Sequence, residues 1–376
     1  MKRLITLSVL ALLLLASVAL LEGAWASKRL TFNSGVSQYP AVAASGAGVY
    51  VVWEDDMAGN PEIYFRRSSD SGATWDGAQR ITDKATISKR ADIAVSGANV
   101  YVVWHDDTPG VDDIYFRRSA DRGSTWQAAK KITFTAGSSS WPAVAANGAN
   151  VYVTWIDNTP ANNEIYFRRS GDNGATWNPV KRLTHDAGSS EYPAVAVSGA
   201  DVYLLWSDNT PGNKEIFFRR SANWGLSWEA AQKLSESSGD TRDPAIAAGG
   251  SAVYIAGRSD FTGNDEITFG HSEDNGSNWG SAREMTNTAG SSEYPALAAD
   301  GADVFLSWHD STPGNYEVYY KNSTDGGVTW GATQRLTNNT EESGLADIAV
   351  NATNVYVVYA NATGGNGEIY VKYSPR

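Results

Sequence analysis

Aspartates stand at Asp55, Asp106, Asp157, Asp208 and Asp310, spaced by 51 residues or twice that, each two positions after a tryptophan. Aromatic residues keep the same spacing at Tyr39, Trp141, Tyr192 and Tyr294, each followed by proline. Carboxylates beside aromatic faces suit neutral sugars. Sugar C–H faces stack on the rings while carboxylates accept hydroxyl protons. The same residues can also be turn fixtures, since structural rules repeat from unit to unit as faithfully as binding rules do. His105 and His309 share a further column and read as surface residues. The Asp/Asn-rich loops offer oxygens but match no calcium-loop pattern, and with no cysteine in the chain thiolate sites are excluded. No metal and no cofactor is expected.

These residues are positioned by a repeat. The stretch Ser68–Trp75 recurs as Ser-x-Asp-x-Gly-x-Thr-Trp, closing at Trp75, Trp126, Trp177, Trp228, Trp279 and Trp330, each 51 residues after the last. A fixed period of this length marks one supersecondary unit copied and stacked. In the third unit, Trp141–Ala146, Val151–Trp155, Glu164–Arg169 and Val180–Thr184 are short runs rich in Val, Tyr, Phe and Trp, bounded by Gly, Asn, Asp and Pro. Such runs predict strands, four per unit, in an antiparallel meander. The first two runs are almost continuously apolar, which means that both faces are covered. Sheets stacked radially about an axis satisfy this, so the expected fold is an all-β, seven-bladed β-propeller.

The seven blades fall at residues 34–84, 85–135, 136–186, 187–237, 238–288, 289–339 and 340–376. The last lacks its fourth strand, and Arg29-Leu30-Thr31 occupies the column of Arg335-Leu336-Thr337. Residues 27–33 should therefore complete blade seven and close the ring, protecting edges that would otherwise pair with other chains. Within each Ser-x-Asp-x-Gly-x-Thr-Trp turn, Asp and Ser can bond backbone amides and Gly allows positive φ, so the turns read as folding devices. They should lie on the face opposite the aromatic and aspartate columns. The third runs begin with a carboxylate, such as Glu62 or Glu164, and end in Arg pairs, such as Arg66-Arg67, so charge should be sorted along the ring axis.

Met1-Lys2-Arg3, the apolar run Leu4–Leu21 and Ala24-Trp25-Ala26 have the form of a secretory signal, residues 1–26, removed after Ala26. The expected address is secreted or cell-surface, with no membrane span after cleavage. With a net charge of −12, the chain is a poor partner for nucleic acid or anionic membranes. The expected partner is a glycan or an extracellular protein, met by a monomer.

The repeated turns resemble those of the sialidase-like superfamily, the BNR or Asp-box propellers, over essentially all of residues 27–376. The resemblance implies the propeller fold but several functions, among them exo-sialidases, other glycosidases, sortilin-like receptors and lectins. Sialidases themselves are six-bladed. Resemblance to them implies three arginines for the sialate carboxylate, one in an Arg-Ile-Pro-like motif, with a Tyr/Glu nucleophile pair and an Asp acid/base. The nearest tract is Thr241-Arg242-Asp243-Pro244, in which Asp243 replaces the hydrophobic residue. Arg90 and Arg258 could reach the same face, although neither lies in a family motif. An acidic face would repel an anionic sugar, and no differentiated carboxylate pair stands out. Blades of equal length carry no unique loop, which favours shallow binding or a scaffold over a reaction centre. The reading is an exported binding module for glycans. The alternatives are an exo-sialidase or related glycoside hydrolase using Arg90, Arg242 and Arg258, and a structural surface protein.

Overall fold

A computed structural model describes residues 25–108, 110–260, 263–362 and 365–376. Its strands form seven four-stranded antiparallel sheets, and no helix occurs among the described residues. Blade one shows the plan, with strands Ser37–Ser45, Gly48–Asp55, Glu62–Ser68 and Gln79–Arg80 running from axis to rim. Second strands are buried along nearly their whole length, as their unbroken apolar runs require. Tyr50, Val52, Ile63 and Phe65 of blade one share a core with Val100, Val102 and Trp104 of blade two, so the hydrophobic core lies between sheets.

The outer strands are shorter than their sequence suggests. In blade three only Lys181–Arg182 pair as a strand, against the expected Val180–Thr184. The ladder continues by other means. Leu183 N–H donates to the Ile165 carbonyl at 2.8 Å, and the Thr184 hydroxyl, rather than a backbone oxygen, accepts the Ile165 N–H at 2.8 Å. A side-chain clasp thus replaces the last backbone rung.

The ring closes as expected. Ala26–Arg29 pairs with Glu368–Pro375, Ala26 opposite Tyr373 and Arg29 opposite Tyr370. The clasp repeats here across the two chain ends. Ile369 N–H donates to Thr31 at 2.8 Å, while buried Glu368 holds Arg29 at 2.5 Å and the Thr31 hydroxyl. The first arginine of each Arg pair adds a stitch between blades. Arg168 reaches the Ile132 carbonyl and Arg219 the Leu183 carbonyl, both at 2.6 Å, and Arg66 reaches the Leu30 carbonyl across the closure. The apolar leader, residues 1–24, lies outside the described residues. Trp25 and Ala26, on the leader side of the expected cut, belong to the ring edge. The Trp25 indole sits edge-on to Tyr320 at 4.9 Å and donates to Gln334 at 2.9 Å.

The Asp-box turns are alike. In blade one Ser68 accepts the Gly72 N–H at 2.9 Å, and Asp70 accepts the Thr74 N–H at 2.8 Å and the Thr74 hydroxyl at 2.6 Å. Bonds from Thr74 and Ser68 hold the Asp70 carboxyl down at about 2. Asn223 and Ser227 reproduce the ring of bonds in blade four. The closing tryptophans reach the preceding blade, with Trp126 edge-on to Phe65 at 4.9 Å and Trp228 edge-on to Phe167 at 5.0 Å.

Candidate ligand-binding collar

Each first strand carries a bulge at the same place. In blade one Gln38 pairs with Glu54 but Ala41 with Val52, leaving one residue extra, and six other first strands repeat the shift. The extra turn places Tyr39, Arg90, Trp141, Tyr192, Asp243, Tyr294 and Leu345 at φ between 48° and 53°. Left-handed backbone costs a residue with a side chain about 1–2 kcal/mol. None of the seven is glycine, so a side chain is retained at every blade despite that cost. All seven line one cavity on the ring axis, about 290 Å³ in volume, floored by the prolines that follow most of them.

The expected aromatics therefore converge. Trp141 and Tyr192 meet edge to face at 5.1 Å. Arg90 lies between two rings, its guanidinium 3.4 Å from the Tyr39 centroid and 4.0 Å from that of Trp141. Its own N–H donates to Glu54 at 2.6 Å. Among the described residues, no carboxylate forms an ion pair with the Arg90 side chain.

The five aspartates expected beside these rings lie instead beneath the surface, each at most 2% exposed. Asp55 accepts the Ser37 hydroxyl at 2.6 Å and the Met57 N–H at 2.9 Å. Asp106, Asp157, Asp208 and Asp310 repeat the pattern with Ser88, Ser139, Ser190 and Ser292. They tie the start of the first strand to the loop after the second, and these bonds satisfy them as buried polar groups must be. The glutamates that open the third strands, Glu62 and Glu164 among them, are equally buried and paired with Arg80 and Arg182.

The three arginines do not form one site. Arg242 and Arg258 are cross-strand partners in blade five, on the far side of the axis from Arg90, and only Arg90 lines the axial cavity. Arg258 is paired with Asp243, with Asp265 at 3.0 Å and with Glu293 at 3.1 Å. Arg242 is paired with Asp240 and Asp265, both at 3.1 Å. The histidines are not surface residues, contrary to expectation. His105 and His309 are buried between blades, and burial pushes His105 down to about 4, which leaves it neutral near pH 7.

Two further features escape a reading of single motifs. Where Ala91 and Ala346 replace the collar proline, the next residue is Asp92 or Asp347. Asp92 accepts the Val144 N–H of the next blade at 2.7 Å, and Asp347 accepts the Val42 N–H at 2.8 Å. Both residues stay partly accessible along the channel, but their carboxyls are turned sideways into protein. Burial of the carboxyls raises Asp92 to about 7 and Asp347 to about 6. The second feature is a layer of three columns just outside the collar, where the repeat breaks down. It holds Lys89, His105 and Asp112 in blade two, Arg242, Arg258 and Asp265 in blade five, and Glu293, His309 and Tyr316 in blade six. Comparing the units column by column, rather than motif by motif, exposes it.

The fold is a seven-bladed β-propeller similar to that of sialidases. Residues 27–204 match the family model described as a BNR repeat-like domain. Among solved structures, the ring is similar to the Trypanosoma rangeli sialidase (11% identity, TM-score 0.56, covering 94% of this chain and 60% of that one). It is also similar to the phage phi92 endosialidase (10%, 0.56, 94% and 69%) and to the NanB sialidase from Streptococcus pneumoniae (12%, 0.52, 92% and 70%). The chain thus spans about three fifths of the length of the trypanosome protein. None of the curated proteins matches it. No helix among the described residues is long and apolar enough to cross a membrane.

Proposed function

We propose that the ring is an exported glycan-binding module whose ligand seats on the axial collar. The observation that carries this reading is the set of seven left-handed, non-glycine residues that turn Tyr39, Trp141, Tyr192 and Tyr294 into one cavity. Aromatic faces in a concave site with few polar groups suit sugar rings. Arg90 adds hydrogen-bond donors held flat between two rings. Export is supported by the charged start, the apolar run Leu4–Leu21 and the Ala24-Trp25-Ala26 pattern. The test is a glycan array probed with the mature protein and with Trp141→Ala and Tyr192→Ala. Binding to a defined glycan set that is lost in both variants is the outcome expected. Binding unchanged in both overturns the collar as the site.

An exo-sialidase or related hydrolase has less support, because two of the three candidate arginines are already neutralised by carboxylates. Turnover of 4-methylumbelliferyl sialoside that Arg90→Ala abolishes would reverse that ranking.

A further inference from the structure

Blade seven departs from the others in the variable layer. Its three positions hold Gly344, Ala360 and Gly367, where blade six holds Glu293, His309 and Tyr316. The layer therefore contains nothing larger than a methyl group, and a cavity of about 410 Å³ opens there. Both glycines are required. A Cβ on Gly344 would come within 2.9 Å of His309 Nδ1, and one on Gly367 within 2.6 Å of the Ser37 carbonyl oxygen. The hollow adjoins the collar, since Tyr294 and Leu345 line both cavities.

Its wall in blade six is a fixed polar array. The Leu345 N–H donates to His309 Nδ1 at 3.1 Å, so the neutral imidazole keeps its proton on Nε2. Nε2 faces Glu293 at 3.8 Å, and the imidazole is held between Tyr294 at 5.2 Å and Tyr316 at 4.7 Å. Tyr316 donates to Glu293 at 3.0 Å, and Arg258 neutralises the same carboxylate at 3.1 Å. His309 and Arg258 hold Glu293 below the usual carboxylate range, while burial pushes Tyr316 up to about 12. The wall thus offers a carboxylate acceptor, a phenol and an imidazole N–H, with its charge already balanced. An anionic ligand would meet no cation left over by these pairings and would face Glu342, which lines the same hollow, whereas one bearing adjacent hydroxyls would meet donors and acceptors together. The volume falls within the range of small-molecule sites.

We propose that the blade-seven hollow is a second sugar subsite that takes one uncharged pyranose unit of a chain whose neighbouring unit sits on the collar. The proposal rests on the glycan reading of the collar. Ala360→Ile tests it, because the same column carries Ile156 in blade three and the backbone accepts that side chain. The glycan held best on an array of neutral and acidic oligosaccharides is titrated calorimetrically into the wild type, Ala360→Ile and Trp141→Ala. Trp141→Ala should abolish binding, and Ala360→Ile should weaken it about tenfold or more with the melting temperature unchanged. The same glycan should also shift the His309 imidazole resonances of the wild type, a reading that stands even if Ala360→Ile folds poorly. Affinity in Ala360→Ile within about twofold of wild type, or His309 resonances that do not move, overturns the blade-seven subsite. Either result leaves the collar standing, provided that Trp141→Ala has lost binding. A wild type that holds no glycan overturns both readings.

Discussion

Arg90 in blade two and Arg258 in blade five stand across the ring from each other, and their surroundings are opposite. Arg90 lies between Tyr39 and Trp141 with its charge unpaired by any carboxylate among the described residues. Arg258 is held by Asp243, Asp265 and Glu293, with Tyr294 against it at 5.1 Å. The backbone supporting them is the same bulged first strand and buried second strand. One blade therefore uses arginine to present donors to the channel, and the other uses it to lock acidic side chains together. Function in a repeat of equal units is written in such substitutions, without any inserted loop.

The largest effect expected removes the ring on which both blades depend. Deleting residues 27–33 strips the outer strand from blade seven and leaves buried Glu368 without Arg29 and Thr31. The shortened protein should lose its cooperative thermal transition. A melt like that of the parent would contradict closure. Next, Arg258→Leu should destabilise the fold by about 3 kcal/mol, because it leaves partly buried carboxylates without their counter-charge. Arg90→Leu should cost less than about 1 kcal/mol while lowering glycan affinity, since no ion pair is broken. Urea titrations of the two variants measure the contrast, and equal losses would erase it.

Smaller effects follow from pH. Asp92 lies in blade two, where blade five has Ala245. Asp92 and Asp347 hold their protons more tightly in the ring than in the unfolded chain, where a carboxyl titrates at about 4. The folded state thus binds more protons between about pH 4 and 7, and stability should fall as pH rises through that window. Asp92→Asn should flatten the decline measured by thermal melts at stepped pH. The smallest effect concerns the box face, where the two blades agree. Asp121 and Asp274 are both held at about 2, so their contribution is present above about pH 4 and lost as pH falls towards 2. Asp121→Asn and Asp274→Asn should respond alike to acid, and unequal responses would show that the boxes are not equivalent.

Much of this fold is legible in the sequence because the 51-residue period fixes strand count, turn position and the pairing of the two chain ends. An apolar pattern overextends the outer strands, because Thr184 and its equivalents accept an amide through the side chain, which leaves no mark in that pattern. Column position also says nothing of depth. Asp55 and Tyr39 look like neighbours in the repeat, yet the first is buried under its Ser37 and Met57 bonds while the second is turned into the channel by a bulge. The left-handed conformation at Trp141 or Tyr192 is hidden for a related reason, since sequence signals for positive φ rest on glycine and asparagine. The blade-seven hollow is recorded in the sequence only as small residues, Gly344, Ala360 and Gly367, at places where most other units carry larger ones.

The most direct measurement is a crystal structure of the mature ring bound to the glycan that it selects on an array. A sugar ring stacked on Trp141 or Tyr192 within the axial cavity, with Arg90 bonded to its hydroxyls or acid group, is the result expected. A glycan seated on the Asp-box face or the outer rim, with the collar empty, would contradict it.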